Sequence, residues 1–270
     1  MPELSILLSP TRRVNIFLLS LLVLAIACGG GGSTTLKVMA ASSLTQAFQD
    51  LARDFEAANP GVSVKLEFGG SQRLRSQLEF GAKADVFASA DHQQMDLVVA
   101  AGLTDNLPLD FASNTLVVIA VPKSLVSELA DLARPGVRLA LAQASVPVGA
   151  YSRLALQNLA NDDSIGLGSA FMDAALANLV SEEPNVRTVA QKVALGEVDA
   201  GIVYQTDVSV AEMAGAIRVI PIPQQANVNA QYPITVLQNA SDTELAREFV
   251  SFVLSETGQR RLAEQGFGAP

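Results

Sequence analysis

The 270-residue sequence has no tryptophan, one cysteine, one histidine and three tyrosines. Each scarcity removes a class of explanation. The lone thiol, Cys28, cannot close an internal disulfide, so packing alone must hold the fold. The lone imidazole, His92 in "ADHQQMD", has no second histidine or cysteine to share a cation with, and reads as an exposed residue at a helix start. Positive charge is also short: 18 Lys and Arg stand against 27 Asp and Glu, for a net charge of −9, with no long basic run. That argues against nucleic acid as a partner. It leaves small anions open, because helix starts and hydroxyls bind them without a cationic side chain. With aromatics at 5% and hydrophobics at 49%, the core must be mostly Ala, Val, Leu and Ile, which suits an α/β protein with buried strands.

Long apolar runs are missing except at the beginning. Arg12 and Arg13 precede "VNIFLLSLLVLAIA" (14–27), too short for a comfortable membrane span and laid out as a signal peptide over residues 1–27. Cys28 follows directly and "GGGGST" comes next, which resembles the lipobox of bacterial lipoproteins. The resemblance implies cleavage before Cys28, a lipid on its thiol and a flexible tether over residues 28–35. One detail departs: Ala25 stands where the lipobox most often has Leu, and Leu24 lies one place earlier. An ordinary secretory signal with an incidental cysteine is the alternative. The expectation is an exported protein, anchored to the cell membrane and facing the periplasm or the extracellular side.

Beyond the tether, strand and helix patterns alternate. Residues 36–40 read as a buried strand, and Leu44, Ala47, Phe48, Leu51, Ala52 and Phe55 give one apolar helix face, stopped by "NPG". "VSVKLEF" alternates with period two, "GGS" turns the chain into a second helix, and "ADVFASA" and "HQQMDLVVAAG" continue the series. "TLVVIAVP", "VRLALAQ", "VDAGIVY", "IRVIPIP" and "YPITVL" read as further strands; "YSRLALQNLA", "FMDAALANLV" and "VRTVAQKVALG" read as helices, with two more over 243–255 and 256–265. Such alternation predicts parallel doubly wound sheets, whose ligands bind where strands hand over to helices. Two of those junctions, "MAASSL" and "FGGSQRL", place a serine in the first helical turn.

A serine there has a plain alternative role. Ser43-Leu44-Thr45-Gln46 fits the S-x-x-Q capping box, in which the hydroxyl satisfies its own helix. Ser71 has Leu74 three residues on, so its capping pattern is weaker. Two such serines after successive strands of one sheet favour a shared cleft. Val148 precedes Gly149 and a helix expected to begin near Tyr151, Val186 follows Pro184 in the first turn of another, and Tyr204 ends an apolar strand. The alternative for Tyr204 is a wedge in the hinge or core. Asp85 braces a loop or caps an end; for Arg73, Arg75 and Arg187, solvated helix faces are the simpler account beside anion steering.

"AASSLTQAFQDLARDFE", "EFGGSQRLRSQLEFGAKADVFASAD", "NTLVVIAVPK", "VPVGAYSRLALQ" and "GEVDAGIVYQTD" together resemble the molybdate-binding proteins of ATP-binding-cassette importers, in that family's order. The resemblance implies a two-lobed periplasmic-binding-protein fold (type II), each lobe a doubly wound mixed sheet flanked by helices. It implies lobe I over residues 36–116 and 223–270, lobe II over 117–222, and a hinge near 117–121 and 220–223. Carried over residue by residue, it puts the oxyanion on the hydroxyls of Ser43, Ser71 and Tyr204 and on the amides of Val148 and Val186. Molybdenum would be held as an oxyanion by those five residues, without direct cation ligands and without a cofactor. Two departures bear on the choice of anion: Asn185 replaces a common acidic residue, and Gly69, Gly70 and Gln72 replace small or hydroxyl residues around Ser71. The implied function is a monomeric, lipid-anchored receptor that binds molybdate or tungstate and delivers it to a membrane permease. Sulfate or phosphate is the alternative ligand; ferric ion fits poorly with three tyrosines in the chain. An exported serine hydrolase would need a positioned base and a G-x-S-x-G elbow, and the chain offers one histidine and no elbow. A regulator's effector domain sits poorly with an export signal. No enzyme activity is expected.

Overall fold

The structure, a computed structural model, describes residues 34–209 and 217–270; the export segment, Cys28 and most of the tether lie outside the described residues. In chain order the elements are β1 (Thr34–Ala41), α1 (Thr45–Ala58), β2 (Val62–Gly69), α2 (Ser71–Glu79), β3 (Val86–Ala88), α3 (His92–Ala100), β4 (Leu109–Asn114) and β5 (Leu116–Ala120). Then come β6 (Leu139–Ala142), α4 (Pro147–Asn161), α5 (Phe171–Ala177), β7 (Leu179–Glu183), α6 (Val186–Ala194) and β8 (Ala200–Tyr204). The chain closes with β9 (Arg218–Pro221), β10 (Ala230–Val236), α7 (Thr243–Leu254) and α8 (Glu256–Glu264). Thr34 and Thr35, expected in the tether, already pair with Val62 and Ser63.

Two five-stranded sheets result, ordered β2-β1-β3-β10-β4 and β7-β6-β8-β5-β9. Both are mixed. Parallel neighbours need a crossover helix, and β1–β2 and β6–β7 have one; β5 and β10, which arrive from the other lobe without a helix, run antiparallel to their neighbours. The mixed sheets expected for each lobe are thus found, and the parallel pairing that strand–helix alternation predicts gives way to antiparallel pairing where the chain changes lobe.

Only Thr115 separates β4 from β5, and residues 222–229 make the return crossing. Leu116, expected to end lobe I, pairs with Tyr204 in the second sheet, and residues 117–120, expected in the hinge, are bonded between β8 and β9. The two crossings are tied together by Asn227. Its Oδ1 accepts from the Leu116 N–H at 3.0 Å and its Nδ2 donates to the Leu116 carbonyl at 2.9 Å, so a side chain imitates a strand pair.

The few aromatics gather in the first lobe. Phe48 meets Phe111 and Phe249 edge-on, with centroids 5.7 and 6.3 Å apart, and Phe55 meets Phe249 at 5.2 Å. The second lobe packs aliphatically, with Leu156 and Leu159 of α4 and Val189, Ala190 and Val193 of α6 fully buried.

One element is misread in the sequence. The helical pattern of "FMDAALANLV" runs to Val180, yet α5 stops at Ala177 and β7 begins at Leu179. Asn178 makes the break: its Nδ2 donates to the carbonyls of Leu132 and Arg134 at 2.9 and 2.8 Å, and its own carbonyl accepts from Leu139 N–H. Tertiary hydrogen bonds override the local period. β4 is likewise not evident in the sequence, because in "LDFASN" the large apolar side chains end at Leu109 and Phe111 and the rest is small or polar.

Candidate functional site

The carboxyl ends of the strands in both sheets meet in one small cleft, of about 190 Å³ including its open mouth. Its lining includes Ser43, Ser71, Val148, Val186 and Tyr204, together with Ser42, Gly70, Ala90 and Pro147. All five residues singled out in the sequence thus lie in one place. No ionisable carboxylate or cationic side chain is among the lining residues.

Ser43 does not cap its helix. Residues Ser42–Leu44 form a single turn of 3-10 helix with no side-chain cap, and Ser43 Oγ lies 3.1 Å from Tyr232 Oη. Gln46, the other half of the anticipated box, bonds across the cleft to Arg187. Either oxygen can donate in the Ser43 bond, and its neighbours bear on which does. Asn114 Oδ1 accepts from Thr115 N–H, so Asn114 Nδ2 is the donor toward Thr206 Oγ1 at 2.8 Å and Tyr232 Oη at 3.5 Å. A phenol that accepts there still has its own proton to offer Ser43 Oγ, and in that arrangement the serine proton is free for the cleft.

Ser71 opens α2, with Gly70 as its N-cap and no side-chain cap. Its Oγ accepts from Ala90 N–H at 3.0 Å, so its proton too remains available. Gly70 is required: a Cβ there would lie 2.5 Å from the Pro184 carbonyl across the cleft.

Val148 sits in the first turn of α4, which begins at Pro147 rather than near Tyr151. Pro147 has no N–H, and the first helical bond runs from Ala150 to Val146, so the Val148 and Gly149 amides precede the ladder. Val186 opens α6, whose cap is Asn185: its Oδ1 accepts from Thr188 N–H at 3.1 Å, again leaving first-turn amides. The residue that replaces the family's common acid is therefore the helix cap. Both valine side chains are buried.

Tyr204 is 1% exposed, and its Oη has no hydrogen-bond partner among the described residues. Burial, then the adjoining Tyr232, raises its pKa well above the usual phenol value, so it is a neutral donor. A buried, unpaired hydroxyl costs free energy unless something completes it.

Sequence reasoning missed the layer behind these groups. Tyr232 and Asn114 carry no motif; only folding sets β10 and β4 in the same sheet as β1. Arg187, read as a solvated helix residue, is half-buried: its Nε donates to the Ser42 carbonyl at 2.7 Å. Asp207, in the turn after β8, is fully buried with neither carboxylate oxygen in a well-formed hydrogen bond among the described residues; burial pushes its pKa up to about 7 against the pull of Arg187 and a weaker one from the Tyr204 backbone. Arg73 and Arg75 serve their own lobe, through Phe68 O and Gln94 Oε1. Asp85 accepts from Lys37 N–H and from both donors of Ser241, tying β1 to the loop after β10. His92 is exposed and pairs with Asp110 at 2.9 Å.

Residues 36–268 match the family described as bacterial extracellular solute-binding protein, and the chain belongs to that family. A relative from Mycobacterium tuberculosis, named molybdate-binding protein ModA, is 42% identical over 243 residues, covering 88% of this chain and 86% of that one. Two solved structures share the two-lobed periplasmic-binding-protein fold. The Azotobacter vinelandii periplasmic molybdate-binding protein has a TM-score of 0.73 at 21% identity, over 87% of this chain and 99% of that one. The sulfate-binding protein SubI of Mycobacterium tuberculosis has a TM-score of 0.74 at 20% identity, over 87% and 86%.

Proposed function

We propose that this protein is a receptor that captures molybdate or tungstate between its lobes, outside the cytoplasm, and delivers it to the membrane permease of an ATP-binding-cassette importer. The observation that carries the reading is a cleft whose lining holds hydroxyls and helix-start residues but no charged side chain. Three hydroxyls, of Ser43, Ser71 and Tyr204, and the first-turn amides of Val148 and Val186 converge there without a carboxylate or a cation. Burying a divalent anion is costly unless its oxygens are all satisfied. A shell of neutral donors does this for a tetrahedral dianion and offers no acceptor to a protonated one, which disfavours monohydrogen phosphate. The orphaned Tyr204 hydroxyl gains its partner when the anion enters. The mycobacterial relative's name supports molybdate, although a fold shared with a sulfate binder leaves the cleft's size to separate the two.

The mechanism is capture by lobe closure, with no bond made or broken. The rotation axis passes through Thr115 and the 222–229 return, and Cys28, lipidated, tethers the receptor beside its permease. Thermal unfolding with molybdate, tungstate, sulfate and phosphate tests the reading. An anion at 100 times its dissociation constant adds about 2.7 kcal/mol of stability. Molybdate and tungstate are expected to raise the midpoint and phosphate to leave it unchanged. No response to any of the four overturns the proposal, and a larger response to sulfate than to molybdate reassigns the ligand.

A further inference from the structure

Arg187 follows Val186 on α6 and reaches from the second lobe into the first. Its Nε donates to the Ser42 carbonyl at 2.7 Å and its Nη2 to Gln46 Oε1. Two further side-chain bonds across the cleft are neutral and longer, Gln72 Nε2 to the Pro184 carbonyl at 3.1 Å and Gln94 Nε2 to the Ser145 carbonyl at 3.4 Å; nearer the crossing, Asn114 Nδ2 meets Thr206 Oγ1 at 2.8 Å. Charge-assisted bonds of the arginine kind are roughly twice as strong as neutral ones. Among the described residues no carboxylate lies within 4.0 Å of the guanidinium; Asp207 of its own lobe attracts it from farther off, so its hydrogen-bond acceptors are these two groups on the opposite lobe.

The carbonyl it holds has a particular meaning. Ser42 C=O and Ser43 N–H belong to one peptide unit, and a cation on the oxygen polarises the N–H toward stronger donation. Thr45 Oγ1 donates to the same carbonyl at 2.7 Å, fixing the turn from the first-lobe side. A guanidinium that arrives only when the lobes meet therefore aligns and strengthens a donor at the ligand site on closure.

We infer that Arg187 is the closure latch of this receptor: a positioning residue that couples the meeting of the lobes to the alignment of the Ser42–Ser43 turn, without touching the ligand. The inference rests on the proposed oxyanion site for its ligand-dependent part, whereas the lobe contact stands without it.

The test uses Arg187→Met, which keeps the apolar stem, Arg187→Lys, which keeps charge but cannot span both acceptors, and Gln46→Ala. Tungstate or molybdate association and release are followed by stopped flow, and lobe separation without ligand by spin labels on α1 and α6. The expected result for Arg187→Met is release at least about tenfold faster, a factor worth about 1.4 kcal/mol, with association changed less than about threefold. Arg187→Lys and Gln46→Ala fall between, and ligand-free Arg187→Met shows a wider lobe separation than the wild type. Release within twofold of wild type, or an affinity loss carried by association alone, overturns the latch. Should Arg187→Met fail to fold, the same two rates in Gln46→Ala decide. If wild type binds no oxyanion, the receptor reading fails by itself, and the ligand-free separation still decides whether Arg187 holds the lobes.

Discussion

Ser43 and Tyr204 are both buried hydroxyl residues at strand-to-helix junctions, yet their partners within the protein differ. Ser43 has Tyr232 as a partner, and Tyr204 has none. Replacing each should separate binding from folding in opposite ways. Tyr204→Phe removes an unsatisfied group whose burial costs about 1–3 kcal/mol, so the ligand-free protein is expected to unfold at equal or higher urea concentration while its tungstate affinity falls at least about tenfold. Ser43→Ala with Ser71→Ala is expected to abolish binding and leave a folded protein, seen as a retained cooperative transition with no anion response. Val148→Ala is the control: the amide stays, so calorimetry should show affinity within about threefold, at a stability cost of about 1–3 kcal/mol for the lost buried methyls.

Asp207 adds a pH signature at the same scale. Its carboxyl faces the Arg187 guanidinium from α6 and the Tyr232 phenol from β10, and burial raises its pKa to about 7 from an unfolded value of 3.8. Below pH about 4 it is protonated in both states. Between about 4 and 7 the unfolded chain ionises it and the folded protein does not, so its contribution to stability falls as pH rises and levels off above 7. Urea midpoints of Asp207→Asn should therefore gain on wild type across that window. A gap that is constant with pH would sink the assignment.

At the scale of elements, a glycine decides whether the second lobe's donor is correctly placed. A Cβ on Gly149 would lie 2.0 Å from the Gln143 carbonyl and 2.5 Å from that of Ala142, so Gly149→Ala must push the start of α4 away from β6. The expected outcome is a loss of about 1–3 kcal/mol in unfolding free energy and a larger proportional loss of anion affinity, both measurable in one calorimetric series. Elements were legible in the sequence wherever local period and final environment agree, as in α1 with its Phe48–Leu51–Phe55 face. They were illegible where tertiary bonds override the period, as at Asn178, or where a strand lacks a clear apolar pattern, as in β4. The site divides along the same line. Its five front residues stand at strand-to-helix junctions, which sequence marks with serine, glycine and proline. The residues behind them, Tyr232, Asn114 and Asp207, sit on elements 20 or more positions from the nearest front residue or carry no junction signal, and only the sheet order brings them together. Arg187 was visible but misjudged, because a lone arginine on a helix face looks the same in sequence whether it meets water or the opposite lobe.

For the whole molecule, the two tests are where it resides and how it moves. If Cys28 carries lipid, Cys28→Ser should shift the protein from the membrane fraction to the soluble exported fraction without altering its anion response, read by fractionation and thermal unfolding together. If the lobes close as proposed, the motion is constrained by Asn227, whose side chain binds both backbone groups of Leu116. Two independent connecting strands would let the lobes twist, slide and tilt, and each such freedom would have to be frozen at capture. Strands pinned to each other by one residue leave chiefly a single swing. The open protein then differs from the closed one by one coordinate rather than many, and little disorder is lost when the cleft shuts on a small, rigid anion.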